Sequence, residues 1–516
     1  MNLRPALFTA SAVFLAVLVA ARAAQTLPDP TNRVPEAASR TAEPSTRPAE
    51  PVSTTTEHTL TVGTTTYRYA ARPDFITLRD DTGKPLARFF HISYTLLEPK
   101  VPVEQRPVTF VFNGGPGSSS VWLHLGAVGP RRVVMTDAAV PPPPPGRLES
   151  NPDSWLPATD LVFIDPVGTG FSRAEPGVDA SQFYSVDGDV SSIAEFIRIY
   201  LSRNQRWASP KYLAGESYGT TRAAALSLHL SRRQGIDLSG IILVSTVLEF
   251  ATIRDVEGND LPMKLFLPGY TATAYHHRRL PAELLSRPLE DVLAEAERFA
   301  VTTYAQALAA GFTLPQAELD AVAAEYARLT GLPRDVVVRN HLRVAPRRFF
   351  SALLADQLKV VGRFDGTITG FDSDPGGVTP EYDPSYTAYQ GAYTSAINAY
   401  LRGELKFESE QRYEVLAGLP WTFPQGQFVN VAGQLADAMV QNPHLRVLVA
   451  SGYQDLATPY FAARYTLQRM LLPPEGRSRV TVREYYGGHM MYHHAESLRR
   501  LGEDVRQFIE SAAEAP

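Results

Sequence analysis

Past residue 57 the chain first alternates apolar and polar positions. HTLTVGTTTYRYAARPDFITLRD and PLARFFHISYTLLEP, with DDTG between them, carry the period of half-covered strands joined by turn chemistry. They predict an antiparallel, hairpin-rich opening. From Val108 the pattern changes to short unbroken apolar runs: VTFVF ending at Phe112, LVFID at Asp165, KYLAG at Gly215, IILVS at Ser245 and RVLVASG at Gly452. Runs without alternation suit strands covered on both faces, and helical stretches lie between them, so the expectation is an α/β fold with a mostly parallel central sheet. Ile193, Phe196, Ile197, Tyr200 and Leu201 recur at helical spacing after a Ser/Asp-rich start, which predicts one of the covering helices.

Between about 250 and 405 the rhythm breaks into Ala- and Leu-rich pieces such as PLEDVLAEAERFAVTTYAQALAAG. This stretch, 251–405, reads as a helical cap inserted into a core formed by 58–250 and 406–516. An amphipathic helix from about Ala495 to Ala512 closes the chain. Before the core, residues 24–57 are rich in Pro, Thr, Ala and Glu without an apolar face, and such a segment cannot offset its ordering entropy, so it is expected to be a flexible tether.

Composition then narrows the setting. With 516 residues, 44% of them hydrophobic, the chain can bury a large core. A formal charge of -5 without a Lys/Arg block leaves no electrostatic footprint for nucleic acid. Residues 1–23 place Arg4 before an apolar stretch and end in Ala21-Arg22-Ala23. About 15 apolar residues fall short of the roughly 20 a spanning helix needs, so this is read as a signal peptide; an uncleaved anchor is the weaker option, and no membrane span is expected after its removal. The absence of cysteine rules out disulfides, which favours a bacterial periplasm or exterior over eukaryotic secretion.

Two glycine-bearing segments carry candidate chemistry. NGGPGSSS, from Asn113 to Ser120, follows the first apolar run, and a nucleotide-binding loop would need Lys where Ser118 stands. A plain turn remains open for it. Gly215-Glu216-Ser217-Tyr218-Gly219 matches G-x-S-x-G between the strand-like KYLA and the helical TRAAALSLHLSRRQG. A serine there needs a sharp strand-to-helix turn to lift its hydroxyl above the sheet. The hydroxyl also needs a base, and the base an orienting carboxylate. Asp455 in YQDLATPY and His489 in GGHMMYHH follow in the order Ser, acid, His, each just past a predicted strand. Asp455 has an alternative as a helix cap, and His489 with His493 and His494 an alternative as a metal cluster, although no zinc spacing matches. If Ser217 attacks a carbonyl, the backbone N–H of Tyr218 and that of Gly115 are the expected oxyanion donors; Pro116 has none to give.

NGGPGSSS, FIDPVGTGFS at 163 to 172, GESYG and the Asp and His segments together resemble the serine carboxypeptidase family. The resemblance implies an α/β-hydrolase fold with a helical cap, removal of C-terminal residues from peptides with a free C-terminus, and no cofactor or metal. It also implies that Asn113, Gly114 and Glu216 hold the substrate's terminal carboxylate. Glu216 can donate to that carboxylate only when protonated, so burial must raise its pKa, which implies a preference for acid pH. Three features depart from the family pattern: Val111 replaces a Trp, Ala127 in AVGP replaces a commonly present Glu, and Ser118 stands where a cysteine is usual. An esterase or acyltransferase with the same machinery, and a non-catalytic exported binding protein on this scaffold, are the competing expectations.

Overall fold

The computed structural model describes residues 52–135, 143–374 and 377–513. The expected signal segment, 1–23, and most of the expected tether lie outside the described residues. Strands β1 (Thr56–Val62), β2 (Thr65–Arg79) and β3 (Pro85–Leu96) pair antiparallel as a meander. The first starts inside the expected tether, because Thr56 to Val62 find ladder partners from Ala71 back to Thr65.

Six further strands follow: β4 (Val108–Phe112), β5 (Asp160–Ile164), β6 (Lys211–Glu216), β7 (Gly240–Val244), β8 (Arg446–Gly452) and β9 (Val480–Tyr485). The order across the sheet is β1-β2-β3-β5-β4-β6-β7-β8-β9, and the two-residue strand Arg173–Ala174 pairs with β3. The six run parallel to one another; β3 meets β5 antiparallel. From β4 the chain steps to one side to make β5 and later to the other side to make β6. Connections therefore diverge at the carboxyl end of β4, where parallel sheets open a crevice.

The helices used below are α1 (Val186–Arg203), α2 (Tyr218–Gln234), α3 (Leu261–His276), α4 (Leu289–Val301), α5 (Gln316–Thr330), α6 (Pro384–Gly403), α7 (Ala432–Gln441) and α8 (Ala495–Ala513). Alternate strand residues feed opposite cores. Phe110, Phe112, Leu213, Ile241 and Leu243 pack with α1, α2 and α7, whereas Val111, Ala214, Ile242 and Val244 pack with α6 and α8. This two-sided burial is why the strands read as unbroken apolar runs, each fully buried side chain contributing about 1.5–3 kcal/mol. α1 forms where its period predicts: Ser185 Oγ accepts from Gly188 N at 3.2 Å as the cap, and Ile193, Phe196, Ile197, Tyr200 and Leu201 are buried.

A mostly parallel sheet with helices on both faces and a helical insertion after β7 is the α/β-hydrolase architecture. The insertion has a third apolar core, in which Leu265, Leu293, Tyr326, Phe349 and Val361 meet Leu456 and Tyr460. The cap therefore rests on the segment that carries Asp455. Its expected boundary at 405 shifts: Tyr389, Tyr393, Ile397 and Tyr400 of α6 belong to the core beneath the sheet, not to the cap. Their helical spacing supplies an apolar stripe, and the side chains it meets place that stripe in the sheet's core. Among the described residues no helix is long and apolar enough to cross a membrane.

Candidate active site

β6 ends at Glu216 and α2 begins at Tyr218, so one residue makes the whole turn between them. That residue is Ser217, at φ 60° and ψ −129°. An L-residue held there costs on the order of 1–3 kcal/mol and persists only when its surroundings fix it. Here Ser217 N–H donates to Val244 O at 3.0 Å, and Thr220 N–H donates back to Ser217 O at 2.8 Å. Gly215 and Gly219 let strand and helix close together, since a Cβ on Gly215 would lie 2.2 Å from Gly219 O.

Asp455 and His489 follow β8 and β9, and both are buried. His489 Nδ1 lies 2.8 Å from Asp455 Oδ2. The Thr458 hydroxyl donates to the same oxygen at 2.8 Å, and the amides of Ala457 and Thr458 donate to Oδ1 at 2.8 and 2.9 Å. The helix-cap alternative for Asp455 does not hold, because the next helix begins at Tyr460 after Pro459 and has no side-chain cap. One carboxylate oxygen accepts from the local turn and the other faces the imidazole. That contact puts the ring proton on Nδ1 and leaves Nε2 as the acceptor. Burial opposes a charged imidazole at 489, but the Asp455 carboxylate outweighs it and holds the pKa above the ordinary histidine value. The backbone is pinned as well: His489 N–H donates to Phe364 O and the Ser245 hydroxyl donates to His489 O, both at 2.5 Å.

The glycine loop lies against the N-terminus of α2. A Cβ on Gly114 would fall 2.4 Å from Tyr218 N and 2.7 Å from Gly219 N, so only glycine allows this approach. The loop is held from outside by Ala417, whose N–H donates to Gly117 O at 2.8 Å. Beneath it, buried Arg222 on α2 donates through Nε to Asp189 Oδ2 at 2.7 Å and through Nη1 to Asn113 O at 2.6 Å. The Tyr218 hydroxyl donates to the same Asp189 oxygen at 3.0 Å. One buried ion pair therefore ties the loop and the elbow together.

Glu216 lies next to this loop and is 3% exposed. Asn113 Nδ2 donates to its Oε1 at 2.9 Å, and the Tyr492 hydroxyl donates to its Oε2 at 2.7 Å. Burial dominates and pushes the Glu216 pKa up to about 7, with His489, Tyr492 and Asn113 pulling the other way. The Tyr492 ring packs closely on the turn before Ala127: a Cβ on Gly126 would meet it at 2.5 Å.

Asn113, Gly114, Gly115, Glu216, Ser217 and His489 all line one cavity of about 490 Å³. Tyr218 is buried behind it. Arg363, Phe364 and Tyr386 also line the cavity, as do Leu416 to Gly418, and none of these stands out in the sequence. Tyr386 lies in the first turn of α6 and the others lie in loops, without a motif. Thr458 and Tyr492 sit inside the quoted Asp and His segments, but their partners become visible only in three dimensions. Among the described residues the Ser217 hydroxyl makes no hydrogen bond; it faces the same cavity as His489, and such contacts commonly tighten when substrate binds. His493 Nε2 instead lies 2.8 Å from the Tyr393 hydroxyl, and His494 Nε2 lies 3.3 Å from Asp365 Oδ2. No group of residues suited to a metal ion is present among the described residues.

Residues 83–258 match the family model described as serine carboxypeptidase. That stretch, about a third of the chain, resembles the serine carboxypeptidase family. That match contains the glycine loop and the elbow, while Asp455 and His489 lie beyond it. Among curated relatives, the pheromone-processing carboxypeptidase KEX1 of Yarrowia lipolytica is 30% identical over 156 residues, 30% of this chain and 24% of that protein. Serine carboxypeptidase-like 36 of Arabidopsis thaliana is 30% identical over 31% of this chain and 32% of its own length. The aligned part of the chain thus spans between a quarter and a third of these two serine carboxypeptidase relatives. Among solved structures, proline iminopeptidase of Mycobacterium smegmatis aligns over 89% of this chain and 98% of its own at 15% identity, with a TM-score of 0.30.

Proposed function

We propose that the chain is an exported serine carboxypeptidase that removes C-terminal residues from peptides through an acyl-enzyme on Ser217. The observation that carries this reading is the Asp455–His489 pair facing the same cavity as Ser217 and the buried Glu216–Asn113 pair. Ser217 Oγ attacks the scissile carbonyl while His489 Nε2 takes its proton, and the N–H groups of Gly115 and Tyr218 receive the oxyanion. The C–N bond breaks as the imidazolium returns that proton to the leaving amine. Water, activated by the same nitrogen, then adds to the acyl-enzyme and frees Ser217.

The terminal carboxylate is held by Asn113, by the backbone at Gly114 and by protonated Glu216. With its pKa near 7, Glu216 is largely protonated in mildly acid solution, which supports the preference for acid pH. Export rests on the leader-like residues 1–23 and the absence of cysteine. A second reading, an esterase or acyltransferase with the same machinery, draws on Ala127, because no second carboxyl shares a proton with Glu216 from that position.

The test is hydrolysis of a blocked dipeptide, its C-terminal amide and a simple ester by the wild-type protein and Ser217→Ala. The carboxypeptidase reading expects strong preference for the free carboxylate, and loss of both turnover and fluorophosphonate labelling in the variant. Equal rates on acid and amide would transfer the site to the second reading. Well-folded wild-type protein that takes no label would leave only a binding role.

A further inference from the structure

One wall of the cavity is cationic, and the hydrolytic chemistry above does not use it. Arg363 lines the cavity and is exposed to it. Its guanidinium carbon sits 4.9 Å above the Phe364 ring, and that ring lies 5.1 Å from the imidazole of His489. The guanidinium therefore stands within the sum of those two distances of the reacting centre. Stacking on an aromatic face fixes the plane of an arginine and leaves its in-plane N–H groups free for a carboxylate.

The backbone beneath this side chain is clamped on both sides. Arg363 N–H donates to Asp383 Oδ1 at 3.1 Å, Phe364 N–H donates to Ser385 Oγ at 3.1 Å, and Leu456 N–H donates to Arg363 O at 3.1 Å. With the His489 contact to Phe364 O, these bonds lock residues 363 and 364 between the start of α6 and the two catalytic loops. Among the described residues Arg363 makes no ion pair. Of the acids within its electrostatic reach, Asp455 is engaged by His489, and Asp383 Oδ1 accepts from the amides of residues 363 and 385 while its Oδ2 accepts no hydrogen bond from the guanidinium or from any other described group. Arg254 and Arg347, from two other segments, add positive potential in the same region.

We propose that Arg363 is a specificity-determining residue that pairs with an acidic side chain on one of the two substrate residues flanking the scissile bond. An Asp or Glu side chain on a residue beside the attacked carbonyl would share the cavity that both Ser217 and Arg363 line. The terminal carboxylate is already provided for by Asn113, Gly114 and Glu216. This proposal rests on the peptidase reading of the site.

The experiment measures kcat/KM for blocked dipeptides with a free C-terminus in which each position in turn is Ala, Gln or Glu. Wild type, Arg363→Met and Arg363→Lys are compared, with thermal melting to confirm folding. Wild type is expected to favour Glu over isosteric Gln at one position. Arg363→Met should lose about 10- to 100-fold on that substrate, the value of a charge-assisted hydrogen bond, and leave the Ala and Gln peptides unchanged, with Arg363→Lys in between. Hydrolysis of Ala peptides with no Glu preference at either position overturns this proposal alone. An equal loss on every peptide overturns it too, and points to the terminal carboxylate or to folding. No hydrolysis of any peptide sinks the peptidase reading and this proposal with it.

Discussion

Tyr492 and Glu216 stand 276 residues apart and share a 2.7 Å hydrogen bond. GESYG marks Glu216 as a candidate, but no local pattern announces its partner. The carboxyl is faced by Asn113 from the glycine loop, by His489 and Asp455, and by Tyr492, with Tyr393 beyond. Of these, the Tyr492 hydroxyl favours the ionised form, so its removal raises the Glu216 pKa further above about 7. Tyr492→Phe is therefore expected to carry tight binding of free-carboxylate substrates to higher pH. A hydrogen bond worth ~1 kcal/mol against 1.36 kcal/mol per unit sets the move at about 0.7 of a pH unit. The check is KM against pH: the alkaline limb should shift for the acid substrate and stay put for the amide. Glu216→Gln, which keeps a donor but does not titrate, should abolish that limb.

The strand-turn-helix from 211 to 234 was legible because its burial pattern and its glycines are local. Its docking against the glycine loop was not, since an approach so close that a Cβ on Gly114 would fall 2.4 Å from Tyr218 N is a fact about two strands that neighbour each other in the sheet and not along the chain. Gly114→Ala should push the loop away from the helix and carry the Gly115 amide out of line. Loss of one oxyanion donor lowers kcat by about 10²–10³, so ester turnover should fall by at least that factor while circular dichroism stays native. The cap boundary was misplaced for a related reason. Ala- and Tyr-rich helical sequence looks alike whether its stripe faces a cap or a sheet, and only the side chains it meets tell α6 from α4.

For the molecule as a whole, buried titratable groups set the pH range of stability. His91 is lowered to about 4, and His124 and His493 to about 3, each chiefly by burial. Their folded pKa values lie below the unfolded one, so their contribution is present above about pH 6.5 and is lost as pH falls. Glu216 and Asp165, raised by burial to about 7 and about 6, act oppositely: their contribution is present at low pH and is lost as pH rises through those values. His489, raised by Asp455, likewise loses its contribution above the ordinary histidine pKa. Melting temperature is therefore expected to peak between about pH 6 and 7. Each proton by which the folded and unfolded states differ contributes about 1.4 kcal/mol per pH unit on either side. A melting series from pH 4.5 to 8 checks this, and a monotonic rise to pH 8 would contradict it.

Periodicity and short motifs were enough to determine the parallel sheet, the sequence order of Ser217, Asp455 and His489, and the glycine loop that follows β4. Each of these depends on neighbours within a few residues, where strand and helix periods and turn chemistry act. Tertiary structure alone decided what surrounds them: Thr458 on the Asp455 carboxylate, Tyr492 on Glu216, Arg222 beneath Asn113, and Arg363 on its aromatic seat. Those contacts form where separate segments converge at the carboxyl edge of the sheet, and their energy depends on distances that no one-dimensional pattern encodes.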